Sequence, residues 1–251
     1  MRDVLAVFRR ELMPIAREPF GIIFTLLQPL VFLVLFGPLL EGMLPAEAFG
    51  GESTWQWFVP GILVMLVVFG TSGTGYTLQT ELATGSFERL LVAPLSRAAI
   101  FIGRSMRELV PLVAQALLIV LVMIPFGFTL HPLPAALGIL LLGLFGIGMG
   151  GLSNALAIAT RKSEWMFWSV QSTVQFPLII LSGMLMPLDA GPRWMQAVAA
   201  FNPLTYVVEA ERALFAGHIW EAVVLHGVIA ALATCVIGLA AGVLAIRGAT
   251  R

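Results

Sequence analysis

Six stretches of this chain run without a single charged side chain, and each is long enough to cross a lipid bilayer. They are Phe20–Leu40, Trp57–Thr80, Leu109–Leu130, Ala135–Thr160, Trp165–Leu188 and Ala222–Ile246. A helix needs about 20 apolar residues to traverse about 30 Å of hydrocarbon. Backbone polar groups in lipid must pair within their own segment, and no run alternates as the roughly ten-residue strands of a barrel would. The sequence therefore predicts an all-α membrane protein, with six transmembrane helices in one domain spanning residues 1–251. Composition agrees: 59% of residues are hydrophobic, only 11% are charged and the mean hydropathy is +0.97. Soluble domains carry about 25% charged residues.

The basic residues give an orientation. Arg2, Arg9, Arg10 and Arg17 precede the first span, and Arg89, Arg97, Arg104 and Arg107 lie between the second and third. Arg161 and Lys162 lie between the fourth and fifth, and Arg247 and Arg251 follow the sixth. These twelve of fourteen fall on one side, with only Arg193 and Arg212 on the other. The positive-inside rule makes the rich side cytosolic, so both termini are expected in the cytosol. Net charge is zero, which argues against a nucleic-acid partner. The single cysteine, Cys235, has no partner for an intrachain disulfide. No cleavable signal peptide is expected, because the first eighteen residues mix charged and apolar side chains.

Three segments do not span. Residues 1–18 place Val4, Leu5, Phe8, Leu12 and Ile15 near one helical stripe, which predicts an interfacial amphipathic helix. The cytosolic loop 81–108 is long enough for structure of its own. In the outer segment 189–221, Trp194, Met195, Val198 and Phe201 fall at helical spacing between prolines. That predicts one or two short re-entrant helices dipping into the outer leaflet.

Within the cytosolic loop, Gly85 or Ser86 can cap a short helix whose first turn holds Glu88, where a carboxylate suits the helix dipole. Pro94 ends it, because it pushes Ala93 out of helical geometry. Phe87, Leu90 and Leu91 then stand beside Glu88 and Arg89. The segment reads either as an amphipathic loop on lipid headgroups or as a docking peg for a cytosolic partner.

Polar side chains inside spans are costly and often functional. Gln28 precedes a mid-span proline, Pro29. Ser72, Thr74 and Tyr76 line the inner half of the second span. Gln171 and Gln175, four apart, share one face of the fifth. Each reads either as interhelical hydrogen-bond glue or as part of a substrate pathway. Gly146-x-x-x-Gly150 and Gly238-x-x-x-Gly242 permit close helix approach, within one subunit or between two. Glu209 and Arg212, three apart in the outer segment, are placed to pair.

The whole chain resembles the ABC-2 type permeases, the membrane subunits of ATP-binding-cassette exporters, and most of all the daunorubicin-resistance branch. The resemblance rests on Phe8-Arg-Arg-Glu-Leu12, Gln28-Pro-Leu30, Phe58-Val-Pro-Gly61, Gly85-Ser-Phe-Glu-Arg-Leu-Leu-Val-Ala-Pro94 and Phe201-Asn-Pro-Leu-Thr-Tyr206, in that order. It implies a dimer of permeases, identical or different, above two ATPase subunits. Phe87, Glu88, Arg89, Leu90 and Leu91 would seat in an ATPase groove. The pathway would run past Gln28, Ser72, Tyr76, Gln171 and Gln175. Asn202, Pro203, Glu209 and Arg212 would belong to an outer gate. The implied cargo is an amphipathic or hydrophobic drug, lipid or secondary metabolite, with a polysaccharide as the other possibility in the superfamily. No catalytic residue, metal site or cofactor is expected in this chain. Lys162 follows Arg161 and so forms no Gly-Lys-Ser/Thr phosphate loop, which puts ATP and magnesium in the partner. The location implied is a bacterial inner membrane.

Two rival classes remain. Gly70-Thr-Ser72-Gly73 matches the short motif of rhomboid-type intramembrane proteases, with His226 on the last span. Depth opposes it: at 1.5 Å per residue the serine and histidine differ by roughly 16 Å along the membrane normal. An ATP-independent transporter or channel is the other rival. It lacks the mid-span acidic residue and inverted repeat that such proteins use.

Overall fold

The computed structural model describes residues 19–43, 49, 51–86, 102–104, 106 and 109–249, together with residues 7, 8 and 13. Most of the expected amphipathic helix 1–18, and residues 87–101 of the expected coupling loop, lie outside them. The principal helices are α1 Pro19–Met43, α2 Thr54–Ala83, α3 Leu109–Met123, α4 Pro132–Ala159, α5 Glu164–Ile180, α6 Arg193–Ala199, α7 Pro203–Phe215 and α8 Ala222–Ala249. There is no strand among the described residues. Five helices are long and apolar enough to cross a membrane, in the ranges Leu26–Met43, Thr54–Ala83, Ile102–Phe126, Pro132–Ala159 and Ala222–Ile246.

Local chemistry sets the helix ends. Ser53 caps α2 by accepting the Gln56 amide at 3.1 Å, and Ser163 caps α5 by accepting the Met166 amide at 3.4 Å. Asn202 caps α7, with Pro203 in the first helical position where no amide is missed. After α3, a single 3-10 turn, Ile124–Phe126, runs into Gly127 at φ +91°, a conformation that favours glycine.

α2 is the axis of the bundle. Of its most apolar stretch 83% is buried, against 28% for α1 and 33% for α8. α4 lies along it, and α8 packs on the far side of α4. Leu27, Val31, Val34 and Leu35 of α1, and Leu225, Ile229 and Val236 of α8, are left exposed and face outward, as a lipid solvent requires. Water supplies little drive between helices in lipid, so van der Waals fit has to. The glycines show where that fit is tightest. A methyl group built on Gly148 would stand 2.6 Å from the Cys235 amide nitrogen, and one on Gly151 would stand 2.6 Å from the Gly238 carbonyl carbon. α4 and α8 therefore touch backbone to backbone within one subunit. Gly238 belongs to the expected spacing, but its partners are Gly148 and Gly151. Gly146 instead meets Val67 of α2.

Two expectations need correction. The fifth span was expected to run over Trp165–Leu188, yet α5 stops at Ile180. The Leu181 amide closes on Pro177 O at 2.9 Å, and the Ser182 hydroxyl folds back on Ile179 O at 2.7 Å. Gly183 then turns left-handed at φ +75°. A serine competing for its own backbone followed by a glycine ends the helix, although every residue around them is apolar. Secondly, the 189–221 segment, expected to dip into the outer leaflet, forms the helices α6 and α7, of which only α6 is peripheral. α7 is wedged among α2, α4 and α8, with Leu204, Val207, Val208, Leu214 and Phe215 buried. At the opposite end of the bundle, Val7 is 2% exposed and packs with Leu78, Ala157, Phe167 and Ile246.

Candidate functional site

Three of the residues singled out from the sequence meet at one point. Ser72 on α2 donates to Gln175 Oε1 at 2.9 Å, with Val68 O at 3.1 Å, and accepts from Gln171 Nε2 at 3.0 Å. The spacing of four brings both amides to the same face of α5, which lies against α2. Gln175 is 7% exposed, and its Nε2 has no partner. A buried amide left unpaired costs about 1–3 kcal/mol, so this group is a ready donor for a ligand or water. Tyr76, one turn along α2, is exposed and leans on Trp168 at 5.4 Å between ring centres. Polar groups thus gather where α2 meets α5, with Ser72 and Gln175 buried and Tyr76 exposed beside them. Gln28 lies exposed on α1 and makes no hydrogen bond to this cluster.

The residues expected at a gate sit around the frayed end of α5. Asn202 Nδ2 donates to Leu178 O at 2.8 Å while its Oδ1 accepts the Leu204 amide at 3.1 Å. Thr205 donates to Leu181 O at 3.2 Å. Arg212 donates from Nη2 to Gly183 O at 2.8 Å and from Nε to Trp57 O at 3.1 Å, and its guanidinium lies 3.6 Å above the Trp57 ring. Carbonyls that a broken helix leaves unpaired are thereby covered by side chains of α7 and its cap. Burial lowers the Arg212 pKa to about 9, with Glu209 opposing the shift, so the guanidinium is cationic at neutral pH. Arg212 spends its donors on carbonyls, and no ion pair joins it directly to Glu209. Both residues border a cavity of about 470 Å³ with Glu52, Trp57, Asp189 and Glu221 on its walls.

Of the residues expected to couple to an ATPase, Gly85 is described. It takes φ +69° directly after α2, and its amide closes on Leu82 O at 3.3 Å. Phe87, Glu88, Arg89, Leu90, Leu91 and Pro94 lie outside the described residues. The serine-protease rival finds no support in geometry. The Ser72 hydroxyl is engaged by Gln171 and Gln175, while His226 stands against Tyr206 at 6.4 Å between rings.

Sequence reasoning missed four polar residues. Gln56 is 3% exposed and fully used. Its Nε2 donates to Phe215 O at 2.7 Å and Thr129 O at 3.2 Å, and its Oε1 accepts from Thr129 N at 3.0 Å and Oγ1 at 3.1 Å. It ties α2, the 127–131 turn and α7 together, and it was passed over because it precedes the counted span by one residue. Glu81 accepts from Arg104 at 2.8 Å. Glu211, on α7, is fully buried, and neither carboxylate oxygen has a partner. Desolvation raises its pKa well above the ordinary carboxyl value, because burial penalises the charged form. Its neighbour is Gly138 of α4, where an added methyl would fall 2.6 Å from Glu211 Oε2.

A bundle of this kind, with long apolar helices and an inward polar face, defines a multi-pass membrane protein. The chain belongs to the ABC-2 type transporter family, whose profile matches residues 2–216. It is 31% identical to the transport permease ycf38 of Cyanophora paradoxa over 88% of this chain and 76% of that one. It is 28% identical to the daunorubicin resistance ABC transporter permease protein DrrB1 of Streptomyces coeruleorubidus, over 83% and 73%. It is 24% identical to the doxorubicin resistance ABC transporter permease protein DrrC of Mycobacterium tuberculosis, over 80% and 72%.

Proposed function

We propose that this chain is the permease subunit of an ATP-driven exporter of amphipathic or hydrophobic molecules, two copies or two related chains standing over two ATPase subunits. The observation that carries the reading is the Ser72–Gln171–Gln175 cluster, with its unpaired Gln175 amide and the exposed Tyr76 beside it. In lipid such groups are stable only against a partner, water or cargo. A pathway between two subunits provides all three. α5 serves as the fifth of six crossings: its 17 residues reach about 25 Å, and the turn after it completes the passage. Both termini and the 81–108 loop then face the cytosol of a bacterial cell, with the loop seating Phe87–Leu91 on the ATPase.

The chain offers no phosphate-binding loop, so ATP and magnesium act in the partner. Their binding shifts the permease between inward and outward access only if the ATPases hold one state more tightly. The drug-resistance permeases among its relatives support a cargo with an apolar body. The test is reconstitution with the ATPase in proteoliposomes, reading ATP-dependent movement of doxorubicin. Gln175→Leu is expected to lower transport several-fold with ATPase binding intact, and Glu88→Arg to weaken ATPase binding itself. Transport and pull-down that both survive Glu88→Arg would sink the docking assignment.

A further inference from the structure

The inner end of α2 is fastened to both chain connections that meet it. Glu81, in the last turn, accepts from Arg104 Nη1 at 2.8 Å, with the Arg104 side chain fully buried and that of Glu81 19% exposed. The ion pair thus brackets residues 82–103, which include the proposed ATPase-docking segment. The chain leaves α2 through Thr84, whose amide bonds Thr80 O at 3.0 Å, and through the left-handed Gly85. Half a turn before Glu81, Gln79 is 3% exposed and donates to Thr160 O and Ser163 O, each at 3.1 Å. Ser163 is the cap of α5. Two turns further into the bundle, Ser72 holds Gln171 and Gln175 of the same helix.

Hydrogen bonds therefore run unbroken from the loop's return strand of chain at Arg104, through Glu81 and the α2 backbone, to α5 at two levels. Apolar contacts are non-directional and let surfaces slide. A short charge-assisted hydrogen bond fixes distance and direction, and breaking it at a buried arginine carries a desolvation cost.

We infer that the Glu81–Arg104 pair is the joint through which movement of the 82–103 loop is delivered to α2 and onward to the Ser72–Gln171–Gln175 cluster. The inference rests on the proposed function and assigns positioning roles to Glu81 and Arg104, neither of which touches cargo or nucleotide. Gly85 supplies the bend on one side of the joint. Gln79 makes α5 follow α2 once α2 is pushed.

The experiment uses the full permease–ATPase complex in nanodiscs with Cys235→Ala and a reporter cysteine, Tyr76→Cys. Maleimide labelling of the reporter is timed with and without ATP and orthovanadate. With Glu81 and Arg104 in place, trapping the nucleotide should change the labelling rate by fivefold or more. Glu81→Gln or Arg104→Gln should bind the ATPase within twofold of the parent and still hydrolyse ATP, while the nucleotide-dependent change in labelling falls below twofold. Exchanging the charges, Glu81→Arg with Arg104→Glu, should restore at least half of it. Where a neutral variant does not yield a monodisperse complex, Glu81→Asp keeps the charge, shortens the reach and should give an intermediate response.

A full nucleotide response in the single variants overturns the joint and leaves the permease assignment standing. So does loss of ATPase binding in those variants, which would make the pair a docking element. Failure of the parent chain to bind any ATPase overturns both.

Discussion

Gly148→Ala and Gly151→Ala are the sharpest tests of how α4 and α8 are held. In each, the new methyl carbon would lie 2.6 Å from backbone atoms of α8, at Cys235 and Gly238 respectively. Real contacts of this kind are almost never closer than 3.0 Å and are ordinary from 3.4 Å, and backbone cannot swing aside as a side-chain tip can. The helices must part by about 0.4–0.8 Å, and a radial gap of that order forfeits roughly a quarter to a half of each facing atom pair's attraction. Spread over an interface several turns long, the loss falls within the ~1–3 kcal/mol, occasionally more, that overpacking costs. For a chain of this size it corresponds to a fall in melting temperature of about 2–12 °C. Gly70→Ala is the matched control. It also lies inside a helix, but its added methyl meets nothing within 4 Å. Relief of glycine's entropic penalty should therefore stabilise it by about 0.5–1 kcal/mol. The assay is thermal unfolding of the three purified variants in one detergent, followed by tryptophan fluorescence. If Gly148→Ala and Gly151→Ala melt at or above the temperature of Gly70→Ala, the backbone contact between α4 and α8 is not what holds them.

Glu211→Gln should flatten the pH dependence of stability. The buried acid keeps its proton while the unfolded chain loses it above the ordinary carboxyl pKa, so parent stability falls as pH rises, by about 1.4 kcal/mol per unit, until the raised folded-state pKa is passed. Melting curves of parent and variant between pH 5 and pH 8 check this, and equal slopes would contradict it. Gln56→Leu removes four hydrogen bonds and strands the Thr129 carbonyl, while His131 Nδ1 stays 3.2 Å from Phe215 O, for an expected loss of about 2–4 kcal/mol, read as the shift of the urea or thermal midpoint.

Much of the architecture was legible because lipid demands length. Apolar runs without charge locate α1, α2, α4 and α8 to within three residues at each end. What hydropathy counts, however, is side chains and not backbone, so it could not see α5 ending at Ile180. The signal was there in Ser182-Gly183, hidden by apolar neighbours. α7 was misjudged in the opposite sense. The sequence predicts short re-entrant helices in the outer leaflet for this segment, whereas α7 is wedged among α2, α4 and α8, with Glu211 buried and Arg212 occupied by carbonyls. The Ser72–Gln171–Gln175 meeting could be anticipated from helical spacing, since polar groups in lipid seek one another. The Glu81–Arg104 pair could not, because its members stand 23 positions apart in sequence and no periodicity connects them.

The early end of α5 has a consequence for how that corner of the bundle can deform. Leu178, Leu181 and Gly183 offer carbonyls to Asn202, Thr205 and Arg212. Water can stand in for each of those donors at little enthalpic loss. Hydration at that corner can therefore loosen α7 from α5 one bond at a time, while every long rod stays straight. The stop that shortens α5 thus also makes this corner a place where the bundle can yield.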